Sequence, residues 1–191
     1  MRRWLVVFGF WAGMGIACAQ VGEFGLSFGR GSFRNNDLGT SDGQSRYSID
    51  GNFRMSIRFT LNTYRHFGHE IGYSYSRTTL KLDGGETSMP VHQAGYAFLA
   101  YATPEGSRIR PFVAGGGHFA SFYPPGTGVY YGNGYTKFGF NYGGGIKARV
   151  SSMFAIRFDV RDYTTGKPFP LTDRSGLLHQ LETSAGLSFV F

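Results

Sequence analysis

The sequence predicts an all-β protein, an eight-stranded antiparallel up-and-down transmembrane β-barrel. Three observations predict it. Segments of about ten residues, with apolar and polar positions alternating, recur through the chain. The links between them are alternately short and long. The composition is poor in charge (16%), rich in aromatic residues (17%) and holds 30 glycines. That balance suits short strands and turns, and it suits neither a helical bundle nor a disordered chain. A mean hydropathy of −0.19 fits as well, because only alternate strand residues of such a barrel touch lipid.

The N-terminus reads as a leader. Arg2 and Arg3 form a basic start, residues 4–16 are apolar, and Ala17-Cys18-Ala19 is a small-x-small cleavage site. The expected organisation is a signal peptide over 1–19 and an outer-membrane β-barrel domain over 20–191. Gly15 stands where lipoprotein signals usually carry Leu, which argues against lipidation of Cys18. Cys18 is the only cysteine, so the mature chain is expected to hold no disulfide, thiol nucleophile or thiolate metal site. Loss of Arg2 and Arg3 leaves 17 of the 19 cations against 12 anions. These cations are scattered, which argues against a nucleic-acid partner.

Eight strands are expected, over 21–33, 47–61, 67–77, 91–102, 111–121, 137–150, 154–163 and 178–191. Alternation is clearest where Phe53, Met55, Ile57, Phe59 and Leu61 oppose Asn52, Arg54, Ser56, Arg58 and Thr60. It recurs where Phe154, Ile156, Phe158 and Val160 oppose Arg157, Asp159 and Arg161. Links at 62–66, 103–110 and 151–153 are short. Those at 34–46, 78–90, 122–136 and 164–177 are long and hold most of the Asp-Gly, Gly-Gly, Asn-Gly and Pro-Pro turn signals. That sorting predicts short periplasmic turns and longer extracellular loops.

A soluble ligand-binding barrel would point the charged faces outward. A membrane barrel points them inward, because lipid is then the outer solvent. On the second reading, Glu23, Asp50, Arg54, Arg58, Glu70 and Lys147 line the lumen, together with Arg149, Arg157, Asp159, Arg161 and Glu182. Glu23, Arg58 and Glu70 fall at one depth and Arg161 and Glu182 at another, so a buried ion network is expected. An eight-stranded barrel is only wide enough for its own side chains, which favours a filled plug over a narrow path for ions or small solutes.

No cofactor or metal site is expected. Gly115–Gly117 and Gly143–Gly145 match neither G-x-G-x-x-G nor a P-loop, and are read as strand positions allowing curvature and close aromatic packing. His66 and His69 flank a periplasmic turn without Cys or Asp nearby. A lipid-modifying enzyme would need Ser, His and an acid within reach. The nearest set is His179, Glu182 and Ser184, but strand parity sends His179 and Glu182 to opposite faces.

Aromatic residues favour both membrane interfaces. Tyr47, Tyr75, Tyr123, Tyr135 and Tyr163 are expected at the outer rim, and Tyr64, Tyr101 and Phe191 at the inner one. The third long loop holds Tyr123, Tyr130, Tyr131 and Tyr135 among glycines, a composition suited to adaptable contacts with a surface ligand.

The stretches RPFVAGGG (110–117), NYGGGIKARV (141–150), FAIRFDVRDY (154–163) and GLSFVF (186–191) resemble the small outer-membrane barrels of the OmpA-transmembrane-domain and OmpX type. The resemblance spans essentially the whole mature chain. It implies outer-membrane lipid as the surrounding partner, and an assembly signal at Phe189 and Phe191 read by the outer-membrane assembly machinery. No C-terminal peptidoglycan-binding domain of the full-length OmpA type is expected, so the resemblance implies no cell-wall tether. The function expected is a non-enzymatic structural or surface-interaction role, with a narrow channel and a lipid-modifying enzyme as alternatives.

Overall fold

A computed structural model describes residues 21–41, 45–82, 85–124, 134–169 and 176–191. The expected signal peptide lies outside them. The described strands are β1 (Val21–Arg34), β2 (Asp37–Ser41), β3 (Ser45–Asp50), β4 (Phe53–Tyr64), β5 (Phe67–Leu82), β6 (Gly85–Tyr101), β7 (Ile109–Phe122), β8 (Tyr135–Arg149), β9 (Phe154–Gly166) and β10 (Leu177–Val190). Eight of them close a barrel in the antiparallel order β1-β4-β5-β6-β7-β8-β9-β10, with β10 pairing back onto β1. Closure is what lets a sheet cross lipid, since it leaves no unpaired edge.

The apolar face is outside. Phe24, Leu26 and Phe28 of β1, Ile71 and Tyr73 of β5, and Phe154, Ile156 and Phe158 of β9 are all exposed. Between them, Ser27, Ala155 and Arg157 are buried. β7, whose small residues blur its alternation in sequence, turns Arg110, Phe112, Ala114, His118, Ala120 and Phe122 inward and Val113 and Phe119 outward.

Two strand expectations need correction. The segment 47–61 is not one strand, because the chain breaks at Gly51-Asn52 into β3 and β4. Asp50 pairs with Thr79 and Arg54 with Ser76, so four steps along this segment match three along β5. The extra residue is a bulge, and it reverses which face each side chain takes. Gly51 sits at the break, where an added Cβ would lie 1.7 Å from the carbonyl oxygen of Gly31. Gly31 N–H donates to Asn52 O at 2.9 Å there.

The second correction concerns length. β5 has 16 residues and β6 has 17, well beyond the roughly 9–11 a tilted strand needs to cross a bilayer. The expected second loop, 78–90, is therefore largely a hairpin continuing the barrel wall. Its outward residues turn polar from Arg77 through Thr79 to Lys81, which places this part above the apolar belt. Inside, the same extension builds a core of ordinary soluble character. Leu38, Ile49, Leu80, Met89, Val91, Ala120, Phe122 and Leu178 are buried together, with Phe33, Tyr47 and Phe169 against them. Each of the larger side chains, the leucines, Ile49, Met89, Val91 and Phe122, is worth roughly 1.5–3 kcal/mol when fully buried. The outer end of the lumen is thereby stoppered by hydrocarbon.

Candidate functional site: the barrel lumen

Inward positions on β1, β4, β5, β9 and β10 bring long charged side chains into a space with little room for water, so every charge needs a partner. Glu182 of β10 takes Arg58 Nη2 at 2.6 Å and Arg54 Nε at 2.9 Å. Ser184 donates to the same carboxylate at 2.7 Å. Glu70 of β5 meets Arg157 Nη1 at 2.6 Å, Arg161 Nη2 at 2.8 Å and Arg58 Nε at 3.6 Å. Asp159 of β9 meets Arg157 at 2.6 Å, Arg161 at 3.2 Å and Arg58 at 4.0 Å. Arg58 thus touches all three carboxylates. Arg157 stacks over the Phe112 ring at 4.9 Å and Arg54 over Tyr163 at 4.4 Å, contacts that attract a desolvated cation.

A second cluster closes the periplasmic end. Glu23 receives Lys147 Nζ at 2.5 Å and Asn62 Nδ2 at 2.7 Å. Lys147 also donates to the Tyr101 hydroxyl at 2.9 Å. Arg110 lies 3.7 Å over the Tyr101 ring, 3.9 Å from Glu23 and 2.5 Å from Glu105. Glu105 also holds Arg149 at 3.2 Å.

Of the expected lumen residues, Glu23, Arg54, Arg58, Glu70, Lys147, Arg157, Asp159, Arg161 and Glu182 are buried inside. Arg149 is half-buried at the inner mouth. Asp50 is not in the lumen. The bulge turns Ile49 inward in its place, and Asp50 pairs with Lys81 Nζ at 2.6 Å on the outer surface. There the hydrogen bond from Lys81 holds the Asp50 carboxyl below its ordinary pKa, and Asp50 in turn raises that of Lys81. The pairing by depth also changes. Glu70 does meet Arg58, but Glu23 goes to Lys147. Arg161 reaches Glu70 and Asp159 rather than Glu182. Arg161 and Glu182 are register partners on β9 and β10, so depth does bring their backbones together, but Glu182 is taken by Arg54 and Arg58 and the Arg161 guanidinium reaches Glu70 and Asp159 instead.

Sequence reasoning missed Arg110, Glu105, Gln93, Gln180 and His118. Gln93 Nε2 donates to Gln180 Oε1 at 2.8 Å, beneath the apolar core. Arg110 and Glu105 fall in a segment read as a turn, and small residues mask the parity that would have placed His118 inside.

Two expected rim tyrosines are also inside. Tyr101 and Tyr163 are buried, because each shares the inward parity of its strand. Tyr47 packs against the apolar core. Tyr123 lies edge-on to His92 at 5.5 Å and Tyr135 edge-on to Phe169 at 5.2 Å, whereas Tyr130 and Tyr131 lie outside the described residues. His66 Nδ1 meets Tyr101 O and His69 Nδ1 meets the Tyr96 hydroxyl, so the two rings have separate partners. His179 lies 3.1 Å from Asp162 Oδ1 while Glu182 is buried in the lumen. The glycine triplets are strand residues, and an added Cβ on Gly145 would lie 2.7 Å from the Phe112 ring. Phe189 and Phe191 are exposed and stack at 5.9 Å. Gly22 and Phe191 exchange two backbone hydrogen bonds of 2.9 Å, which fasten the chain end to β1.

The architecture is shared with solved membrane proteins. OprG of Pseudomonas aeruginosa superposes with a TM-score of 0.63 at 10% identity, over 90% of this chain and 95% of that one. Neisserial surface protein A superposes with a TM-score of 0.56 at 12% identity, over 90% and 97%. Ail, the attachment invasion locus protein of Yersinia pestis, solved with the heparin analogue sucrose octasulfate, has a TM-score of 0.50 at 9% identity, over 90% and 99%. No curated protein matches the chain in sequence. The family model described as outer membrane protein beta-barrel domain matches residues 7–191. With its apolar face outward and a closed antiparallel wall, the chain belongs to that family of outer-membrane barrels.

Proposed function

We propose that the protein is a non-enzymatic integral outer-membrane barrel that works through its extracellular surface, exported by way of a signal peptide cleaved after Ala19. The observation that carries this reading is the double closure of the lumen. The apolar core around Leu38, Met89 and Leu178 stoppers the outer end, and the Arg–carboxylate network fills the middle. That leaves the loop surface to meet a partner, including the third loop, rich in tyrosine and glycine. The solved complex of Ail with a heparin analogue shows that a barrel of this architecture can hold a ligand.

The test has three parts. The refolded barrel, verified by its heat-shifted gel band, is placed in a planar bilayer, where no discrete conductance steps are expected. Reproducible steps would overturn the plug and put the narrow channel in its place. Cells carrying a deletion of residues 126–134 are expected to lose surface binding, and unchanged binding would sink the third loop as the contact site. Turnover of lipid A or phospholipid by the pure protein, lost on changing His179 or His118, would replace this reading with an enzyme.

A further inference from the structure

The central ion cluster does not balance. Among the described residues it joins four guanidinium groups, from Arg54, Arg58, Arg157 and Arg161, to three carboxylates, from Glu70, Asp159 and Glu182. None of the seven side chains is more than 4% exposed. The periplasmic cluster also has one cation in excess, but Arg149 there is 29% exposed, so solvent and salt can compensate it. The central surplus is sealed from both, and an uncompensated buried charge is strongly unfavourable.

Asn62, Thr63 and Arg110 each leave one buried polar atom unpaired at the periplasmic end, and the other unpaired atoms lie beside that surplus. Arg54 Nη2 has no hydrogen-bond partner, and Arg161 Nη2 sits near Glu70 without the alignment of a hydrogen bond. Both ring nitrogens of His118 and the Oδ1 of Asn141 are also unpartnered, in residues no more than 4% exposed. Arg58, Arg161, His118 and Asn141 line one cavity of about 30 Å³, with Ser74 and Gln93. A buried water needs about 10–15 Å³ by such a measure, so the space suits one small ion and one water. Glu70 also borders the cavity, but its Oε2 accepts from Arg157 and Thr60, and its Oε1 is ion-paired with Arg161 at 2.8 Å without a hydrogen bond. One ring nitrogen of a neutral His118 is a donor, and the water would serve the Asn141 oxygen.

We propose that this cavity is a binding site for a small monovalent anion of the halide class, which completes the charge balance of the plug. The anion is a structural partner of the lumen, set among Arg161, Arg58 and His118. Polyatomic anions such as sulfate are too large for the space. Ser74→Asp places a tethered carboxylate in the cavity, where it substitutes for the ion. Arg161→Gln removes the surplus charge and with it the need for one.

The experiment is to refold the protein separately in chloride, bromide and gluconate at equal ionic strength and to measure the heat-unfolding midpoint on gels. Wild type is expected to unfold at a higher temperature in chloride and bromide than in gluconate. Crystals grown in bromide should show an anomalous peak inside the cavity. Ser74→Asp should unfold at the same temperature in all three salts. Arg161→Gln should do the same, and if it fails to fold, Ser74→Asp alone decides. Equal wild-type midpoints with no bromide peak, meaning a cavity held by water, would overturn the proposal. So would a halide dependence that persists undiminished in Ser74→Asp.

Discussion

Arg58 Nη2 lies 2.6 Å from Glu182 Oε1, between residues 124 positions apart in the chain. The contact spans β4 and β10, which flank β1 on either side. It can form only when the wall has closed, so it belongs to the finished barrel rather than to any hairpin. Glu182 also holds Arg54, Ser56 and Ser184, which makes it the most heavily shared acceptor of the outer half of the lumen.

Glu182→Gln is therefore expected to destabilise the barrel by about 3–5 kcal/mol, the cost of leaving buried cations unpaired. Reversible unfolding in urea, in lipid vesicles, measures it. Glu86, an exposed rim carboxylate paired with Lys81 at 3.5 Å, supplies the control: Glu86→Gln should change stability by less than about 0.5 kcal/mol. Equal effects of the two would mean the lumen network contributes no more than a surface pair.

Gly51→Ala tests the bulge. The added methyl would collide with the Gly31 carbonyl, which is backbone and cannot swing aside. A loss of about 1–3 kcal/mol is expected, as for other overpacking changes. Hydrogen exchange should quicken at the Gly31 amide, whose bond to Asn52 O joins β1 to this corner. Unchanged exchange there would show that the close approach is not maintained in the membrane.

The Asp50–Lys81 pair gives a pH dependence confined to the outer surface. Asp50 is depressed, so its contribution is present above the ordinary carboxylate value of 3.8 and is lost as pH falls through its lowered pKa. Lys81 is raised, so its contribution is present below its ordinary 10.5 and is lost as pH rises through its higher value. Carboxyl carbon shifts in an NMR titration should place Asp50 below its ordinary value, and Lys81→Ala should move it back up. A titration unaffected by Lys81→Ala would assign the shift to another group.

Phe191 separates assembly from stability. Its ring is 63% exposed and packs on Phe189, while its backbone closes onto Gly22. Phe191→Ser is expected to leave spontaneous refolding into vesicles close to wild type and to lower the amount assembled in cells several-fold. An equal loss in vesicles would mean the ring matters for packing and not as a signal.

The wall of the barrel was legible from sequence because a strand in lipid has a period of two and no alternative solvent. Phe154, Ile156 and Phe158 against Arg157, Asp159 and Arg161 could face only one way. The same rule identified nine buried charges of the lumen. It failed at Asp50, where one extra residue reverses parity and the glycine that marks the bulge, Gly51, stands inside an otherwise regular alternation. It also failed at His118, hidden among glycines and alanines, and at the strand extensions, where turn-forming residues resemble a loop.

The sequence by itself determined that eight strands alternate, that charges face inward and that the chain belongs in the outer membrane, because all three follow from local periodicity and the sorting of links. Only the tertiary structure decided which charges meet, that four arginines share three carboxylates, and that an apolar core caps the outer end. Strand tilt, register and the Gly51 bulge set those outcomes, and they are properties of closing the sheet on itself, which local periodicity does not encode.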